Sequence, residues 1–219
     1  MASTPPPLPD RLSAFKPAFH PSELGESPAV QQTLAQLSLE PHVEGGYFHV
    51  TDMSTETIAS PYPETPLSER TLSLVGGLRP DFDPARRLLS SCIYYYLTPR
   101  RPQGSFHRNR SRIIHTLHRG RGRYVLIHPD GHIETYIVGF DTDKGERMQW
   151  IVEGGVWKAS FLLGERDDPS EEPRSEGLLI TETVVPGFEY ADHEFLDRGR
   201  CTEMLSHDRA AEIDWLIKH

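Results

Sequence analysis

From Ser91 onward the chain breaks into short runs rich in aromatic and β-branched residues, spaced about ten residues apart and separated by glycine and proline turns. The runs are Cys92–Leu97, Ser105–His107, Arg112–Leu117, Arg123–His128, His132–Phe140, Met148–Val152, Val156–Leu163 and Leu178–Val185. Pro99 stops the first, Gly120-Arg121-Gly122 turns the chain, and Pro129-Asp130-Gly131 closes a hairpin. Such a series has too many turns for a helical bundle, and its strands are too closely spaced to be joined by crossover helices. It predicts an all-β barrel or sandwich.

The ends read differently. Residues 1–26 are proline-rich and form an irregular arm, and residues 27–219 form one domain with its barrel core at about 46–195. Ser27 and Pro28 carry the signature of a helix start, and Val30, Leu34 and Leu37 share a face. Residues 53–90 hold five prolines and read as a long loop with one short strand at Leu72–Val75. A helix is expected over Asp208–Lys218, capped by Asp208.

With 219 residues the chain suits a single domain. The net charge of −9 argues against a general nucleic-acid binder, although arginines gather between Arg100 and Arg123. Cys92 and Cys201 make no disulfide framework, no run is long and apolar enough to span a membrane, and the N-terminus lacks signal-peptide features. A cytoplasmic protein without membrane or nucleic-acid partners is expected.

Six segments in order carry a resemblance. They are Leu39–Phe48 with its Glu44-Gly45-Gly46-Tyr47 turn, Ile93–Pro99, Phe106-His107-Arg108 with Ser111, His128–Gly131, Gly154–Ala159 and Val185–Asp192. Together they resemble a small single-domain family of the cupin superfamily long described as of unknown function. The resemblance implies a jelly-roll barrel and, with the N-terminal arm, a homodimer. It also locates the four metal-ligand positions of the general cupin pattern at His107, Asn109, Ile113 and Lys158. Only the first of these is a good ligand, so no metal and no cofactor is expected.

A polar lumen can be read in its place. Alternation puts His115 on the same face as Ile113. His107, His115 and Lys158 are therefore the expected catalytic set, since imidazole and a desolvated amine both exchange protons near neutral pH. Glu44, Tyr47, Tyr94, Tyr96, Asn109 and Trp157 are expected to contact the ligand. Asp192 and His193 form a further ligand-like cluster, but alternation splits them between faces. The reading that follows is a metal-independent isomerase, epimerase or related proton-transfer enzyme acting on a small molecule. The rival readings are a non-catalytic small-molecule-binding cupin, and a metal-dependent oxygenase with a rearranged site such as His107, His115 and Asp192 or His193.

The dimer is directly checkable. Sedimentation at micromolar concentration should give twice the mass of one chain, and a single-chain species would contradict it.

Overall fold

A computed structural model describes residues 17–64, 66, 69–165 and 173–218. Helix α1 (Pro28–Gln36) precedes strands β1 (Glu40–Pro41), β2 (Tyr47–Met53) and β3 (Thr57–Ala59), and helix α2 (Glu69–Val75) precedes β4 (Arg86–Leu88). Then follow β5 (Ser91–Leu97), β6 (Gln103–Asn109), β7 (Arg112–Arg119), β8 (Gly122–Ile127), β9 (Ile133–Val138), β10 (Gln149–Val152), β11 (Trp157–Leu162), β12 (Leu178–Val185) and β13 (His193–Phe195). Helices α3 (Arg198–Met204) and α4 (His207–Ile213) follow the last strand.

Among the described residues the strands form two large antiparallel sheets. One runs β1-β2-β5-β12-β7-β10 and the other β13-β6-β11-β8-β9, while β3 and β4 pair apart from both. The two sheets face each other as a jelly roll. Side-chain alternation decides what lies between them. Tyr95, Leu117, Tyr124, Leu126, Trp150, Leu162 and Ile180 pack in the space between the sheets. The other face of the second sheet, with Phe106, Val125, Ile127, Trp157, Ala159 and Phe161, packs under Cys201, Leu205, Ala210, Ile213 and Leu216 of the C-terminal segment. Strand β11 is consequently buried on both faces along its whole length. No helix among the described residues is long and apolar enough to cross a membrane.

The first sheet has its own cover. Ser27 caps α1, its hydroxyl accepting from the Val30 amide at 3.4 Å. The helix lies over the outer face of β5 and β7, where the Arg119 guanidinium donates to Thr33 Oγ1 at 3.0 Å and to the Tyr96 hydroxyl at 2.9 Å.

Two local expectations are corrected. Leu72–Val75 lies in a helix, α2, rather than a strand. An apolar run this short carries no period that separates the two, and packing of α2 near β13 decides it. The helix expected over Asp208–Lys218 is α4, shorter than that range, and α3 before it has no counterpart in the sequence reading. Helix α4 has Ser206 at its cap, with Asp208 inside the first turn, and it gives way to a 3₁₀ turn at Asp214–Leu216.

The turn before β2 needs its glycines. Gly45 sits at φ +118°, and a Cβ there would collide with the Gln103 carbonyl oxygen. Next to it the Glu44 carbonyl accepts from the Ser105 amide at 2.7 Å, which fastens the turn to the start of β6. Gly45→Ala should therefore destabilise the protein by about 1–3 kcal/mol through the backbone conformation alone, and by more through the collision. Chemical denaturation of the variant measures this, and unchanged stability would mean that the turn is free to move.

Candidate functional site

Two polar clusters stand in the space between the sheets. The first is built on Glu44, which the glycine turn aims at β6. Its Oε1 lies 2.9 Å from Nε2 of His193, and its Oε2 lies 3.3 Å from Nε2 of His107 and 3.5 Å from Nδ1 of His42. Register explains the meeting. On β13, His193 lies opposite Asn109 of β6, and His107 is two residues back on the same face. The two imidazole rings stack 5.3 Å apart.

The protons in this cluster can be assigned from its partners. His107 Nδ1 lies 2.8 Å from the Ser105 carbonyl oxygen, which can only accept, so Nδ1 carries the hydrogen. Burial pushes the His107 imidazole down to about 3, and the pull of Glu44 opposes that fall. With Nδ1 on Ser105, Nε2 is the nitrogen turned to a Glu44 oxygen. Burial pushes the Glu44 carboxyl up, but the imidazoles of His107 and His42 and the hydrogen bond from His193 outweigh it and hold the group well below its usual range. With its Nε2 turned to Glu44, His193 has a buried Nδ1 without a hydrogen-bond partner among the described residues.

The second cluster spans the sheets. From β11, the Lys158 ammonium donates to Glu182 Oε2 at 2.6 Å and to His115 Nε2 at 3.0 Å. Glu182 and His115 are cross-strand neighbours on β12 and β7. The His115 ring lies flat against Trp150, 5.1 Å between centroids, and edge-on to Tyr124. Burial and the Lys158 charge push His115 well below its usual value, which suits a neutral ring accepting from an ammonium. Burial raises Glu182, and Lys158 opposes that rise.

A cavity of about 220 Å³ opens beside both clusters. Glu44 and Glu182 line it together with Asn109, while Phe48, Ile93, Ile113, Val184 and Phe188 supply apolar wall. The polar lining also includes His42, Ser91, Tyr190 and the ion pair of Arg79 with Glu189. His107 stands behind Glu44, and Lys158 with His115 stands behind Glu182.

The structure places the other sequence-derived residues as follows. Asn109 lines the cavity, and its buried Oδ1 has no hydrogen-bond partner among the described residues. Tyr47, Tyr94, Tyr96 and Trp157 stand outside the lumen, which corrects the expectation that they meet the ligand. Tyr47 bonds Glu26 at 3.1 Å under the Arg101 guanidinium, Tyr96 bonds Arg119, and Tyr94 lies edge-on to His118. Trp157 belongs to the helix-covered face, with Arg108 stacked on its ring. Alternation along β5 turns Tyr95 inward in their place. Asp192 is also removed from the site. Its carboxylate is held by Arg87 at 2.6 and 3.0 Å, both groups buried.

One site residue escapes the sequence reading. Glu182 has a signal there, because Leu178, Ile180, Glu182 and Val184 alternate on one buried face, so a carboxylate stands where the pattern calls for an apolar residue. His193 is named in the sequence only as a second-ranked cluster with Asp192, and Glu44 as its partner is fixed only by the tertiary fold.

The model of the family described as Cupin superfamily (DUF985) matches residues 31–196. The chain belongs to this cupin family. Within reach of the whole cupin, Uncharacterized protein YML079W of Saccharomyces cerevisiae is 42% identical over 207 residues, covering 93% of this chain and 94% of the yeast protein. Two solved structures share the fold. A hypothetical protein from Leishmania major superposes with a TM-score of 0.65 at 22% identity, over 86% of this chain and 98% of that one. Protein SO0799 from Shewanella oneidensis superposes with a TM-score of 0.62 at 22% identity, over 89% and 99%.

The buried His115 of this cupin should leave a mark on acid stability. Its folded-state pKa lies well below the ordinary imidazole value of 6.5, so below that pH the unfolded chain takes up a proton that the folded chain refuses. Stability from this group is complete above pH 6.5 and is lost as pH falls toward the folded value. Urea unfolding at about pH 7.5 and about pH 5.5 should show a steeper loss in the wild type than in His115→Gln, by about 1.4 kcal/mol per pH unit below the unfolded pKa. Equal slopes would mean that His115 titrates in the folded protein as it does in water.

Proposed function

We propose that this cupin moves a proton on a small molecule held in the lumen, as an isomerase, epimerase or related lyase. The observation that carries the reading is that two carboxylates on one cavity, Glu44 and Glu182, have surroundings that push their protonation in opposite directions, while the third, Glu189, is paired with Arg79. Glu44 is held anionic. Glu182 is the more basic of the two, and it alone is backed by an ammonium.

The reaction that suits these parts begins with a C–H bond next to a carbonyl. The Glu182 carboxylate takes that proton, and the electron pair of the C–H bond moves onto the carbonyl oxygen as an enolate. Neutralising Glu182 leaves the Lys158 charge without its counter-ion in a water-poor site, where it stabilises the new negative charge. Glu182 then returns the proton to the same carbon from the other face after the intermediate turns, or to a neighbouring carbon. His115 does not reach the cavity; it positions Lys158 by accepting from Nζ. On the other wall, Glu44 accepts a hydrogen bond from a ligand hydroxyl or amine. The apolar wall favours a ligand with a hydrocarbon or ring body.

The test uses deuterium. Incubated with a metabolite extract in heavy water, the wild-type protein should give a product that gains one mass unit at an exchangeable carbon. Glu182→Gln should slow that gain by about 10²–10⁴-fold, the usual cost of losing a general base. Ligand binding without exchange would overturn catalysis and leave a small-molecule-binding protein.

A further inference from the structure

The geometry points to a divalent-cation site of the first transition row at Glu44, His107 and His193, in a lumen whose general cupin ligand positions 109, 113 and 158 hold asparagine, isoleucine and lysine. This inference shares Glu44 with the proton-transfer reading, where that group only accepts from the ligand, and it does not involve the proton-transfer step itself, which uses Glu182 and Lys158.

Three observations carry it. The first is convergence. One ligand atom from each residue lies within 4.8 Å of the others, and all three residues are buried. Donors about 2.0–2.1 Å from a tetrahedral ion lie about 3.3 Å from one another. The Glu44 oxygens lie 2.9 Å from His193 Nε2 and 3.3 Å from His107 Nε2, close to that spacing.

The second is the mismatch of acceptors. The Ser105 carbonyl fixes a hydrogen on His107 Nδ1, which leaves Nε2 and Glu44 Oε2 as two acceptor atoms 3.3 Å apart. A buried pair of acceptors is unfavourable unless something positive stands between them. A proton or a metal ion would meet that need. The Ser105 contact is also the arrangement that metal-bound imidazole usually shows, with the far N–H given to a backbone carbonyl so that the near nitrogen is free to ligate. That contact is fixed by the main chain of β6 and owes nothing to the lumen.

The third is the set of unused atoms around the cluster. His193 Nδ1 and Asn109 Oδ1 are both buried and both without hydrogen-bond partners among the described residues. Asn109 faces His193 directly across the β6–β13 pair and also lines the ligand cavity. An amide oxygen here adds a neutral donor on the side from which a ligand would approach. Two imidazoles and one carboxylate suit zinc, iron, cobalt, nickel or manganese, and are too nitrogen-rich for magnesium or calcium. Bound there, such an ion supplies Lewis acidity toward a ligand oxygen.

The decisive experiment measures binding, with no substrate present. Untagged full-length protein is stripped with EDTA, dialysed, and titrated with Zn²⁺ by calorimetry and with Co²⁺ by visible absorption. One equivalent of each ion should bind per chain, with Co²⁺ showing the ligand-field bands of a nitrogen–oxygen site. In the Co²⁺ form the proton NMR spectrum should contain a hyperfine-shifted, exchangeable imidazole N–H, the His107 Nδ1 hydrogen kept on Ser105. Glu44→Gln and His193→Gln should weaken binding at least about 100-fold, more than the loss of an outer partner costs. His115→Gln, outside the cluster, should keep one equivalent. Circular dichroism of each variant checks that it has folded. A folded wild type that binds neither ion stoichiometrically overturns the site and leaves a shared proton between His107 and Glu44. Binding that survives undiminished in both cluster variants overturns it too. Neither result touches Glu182, so failure here is distinct from failure of the deuterium test.

Discussion

The ion pair between Lys158 and Glu182 is the interaction around which the lumen is arranged. Two charges sit where the sheets meet, with side chains 3% and 8% exposed. Removing either partner of such a pair leaves an uncompensated buried charge and typically costs about 3–5 kcal/mol, whereas an apolar pair of the same volume is often no less stable. The pair is therefore poorly explained as a device for stability alone. It keeps an ammonium and a carboxylate in the dry part of the barrel, and it needs a third group, His115, to take another of the lysine's hydrogens. The aromatic packing of Trp150 and Tyr124 around His115 follows from the same need, since a ring held flat cannot turn its lone pair away.

Much of the architecture is legible in the sequence because it rests on local rules. Strand spacing, turn glycines and the Ser27-Pro28 helix start act over a few residues, and each corresponds to an element in the fold. The inward direction of His107, His115 and Lys158 follows from period-two alternation once the strands are known. The tyrosines fail for a related reason. A run such as Tyr94-Tyr95-Tyr96 has apolar bulk on both faces, so composition alone cannot say which member points inward. Tyr94 and Tyr96 lie on the side shared with α1, and Tyr95 takes the lumen. Trp157 was drawn into the wrong compartment by the same ambiguity, because β11 is buried on both sides.

The meeting of Glu44 with His193 lies beyond any local rule. The two residues are 149 positions apart, joined only because the glycine turn is stitched to one end of β6 and β13 pairs along the other. Neither contact has a sequence signature. The general cupin ligand pattern also drew attention to the positions where donors have been replaced, and away from a cluster built by segments outside that pattern. His193 was further obscured by Asp192, whose carboxylate looks like a ligand in the sequence but is neutralised by Arg87.

Strand β11 has one more implication. Its odd-numbered residues Trp157, Ala159 and Phe161 anchor the C-terminal helices, and Lys158 and Ser160 between them face the lumen. Mechanical support and chemistry are thus written in alternate letters along six residues. A mutation that changes the reactive group need not disturb the helical cover, and one that repacks the cover need not alter the reactive group. A lineage built on such a strand can exchange its lumenal chemistry while keeping its scaffold, and the lysine at the place of a cupin ligand is what that freedom looks like in a single chain.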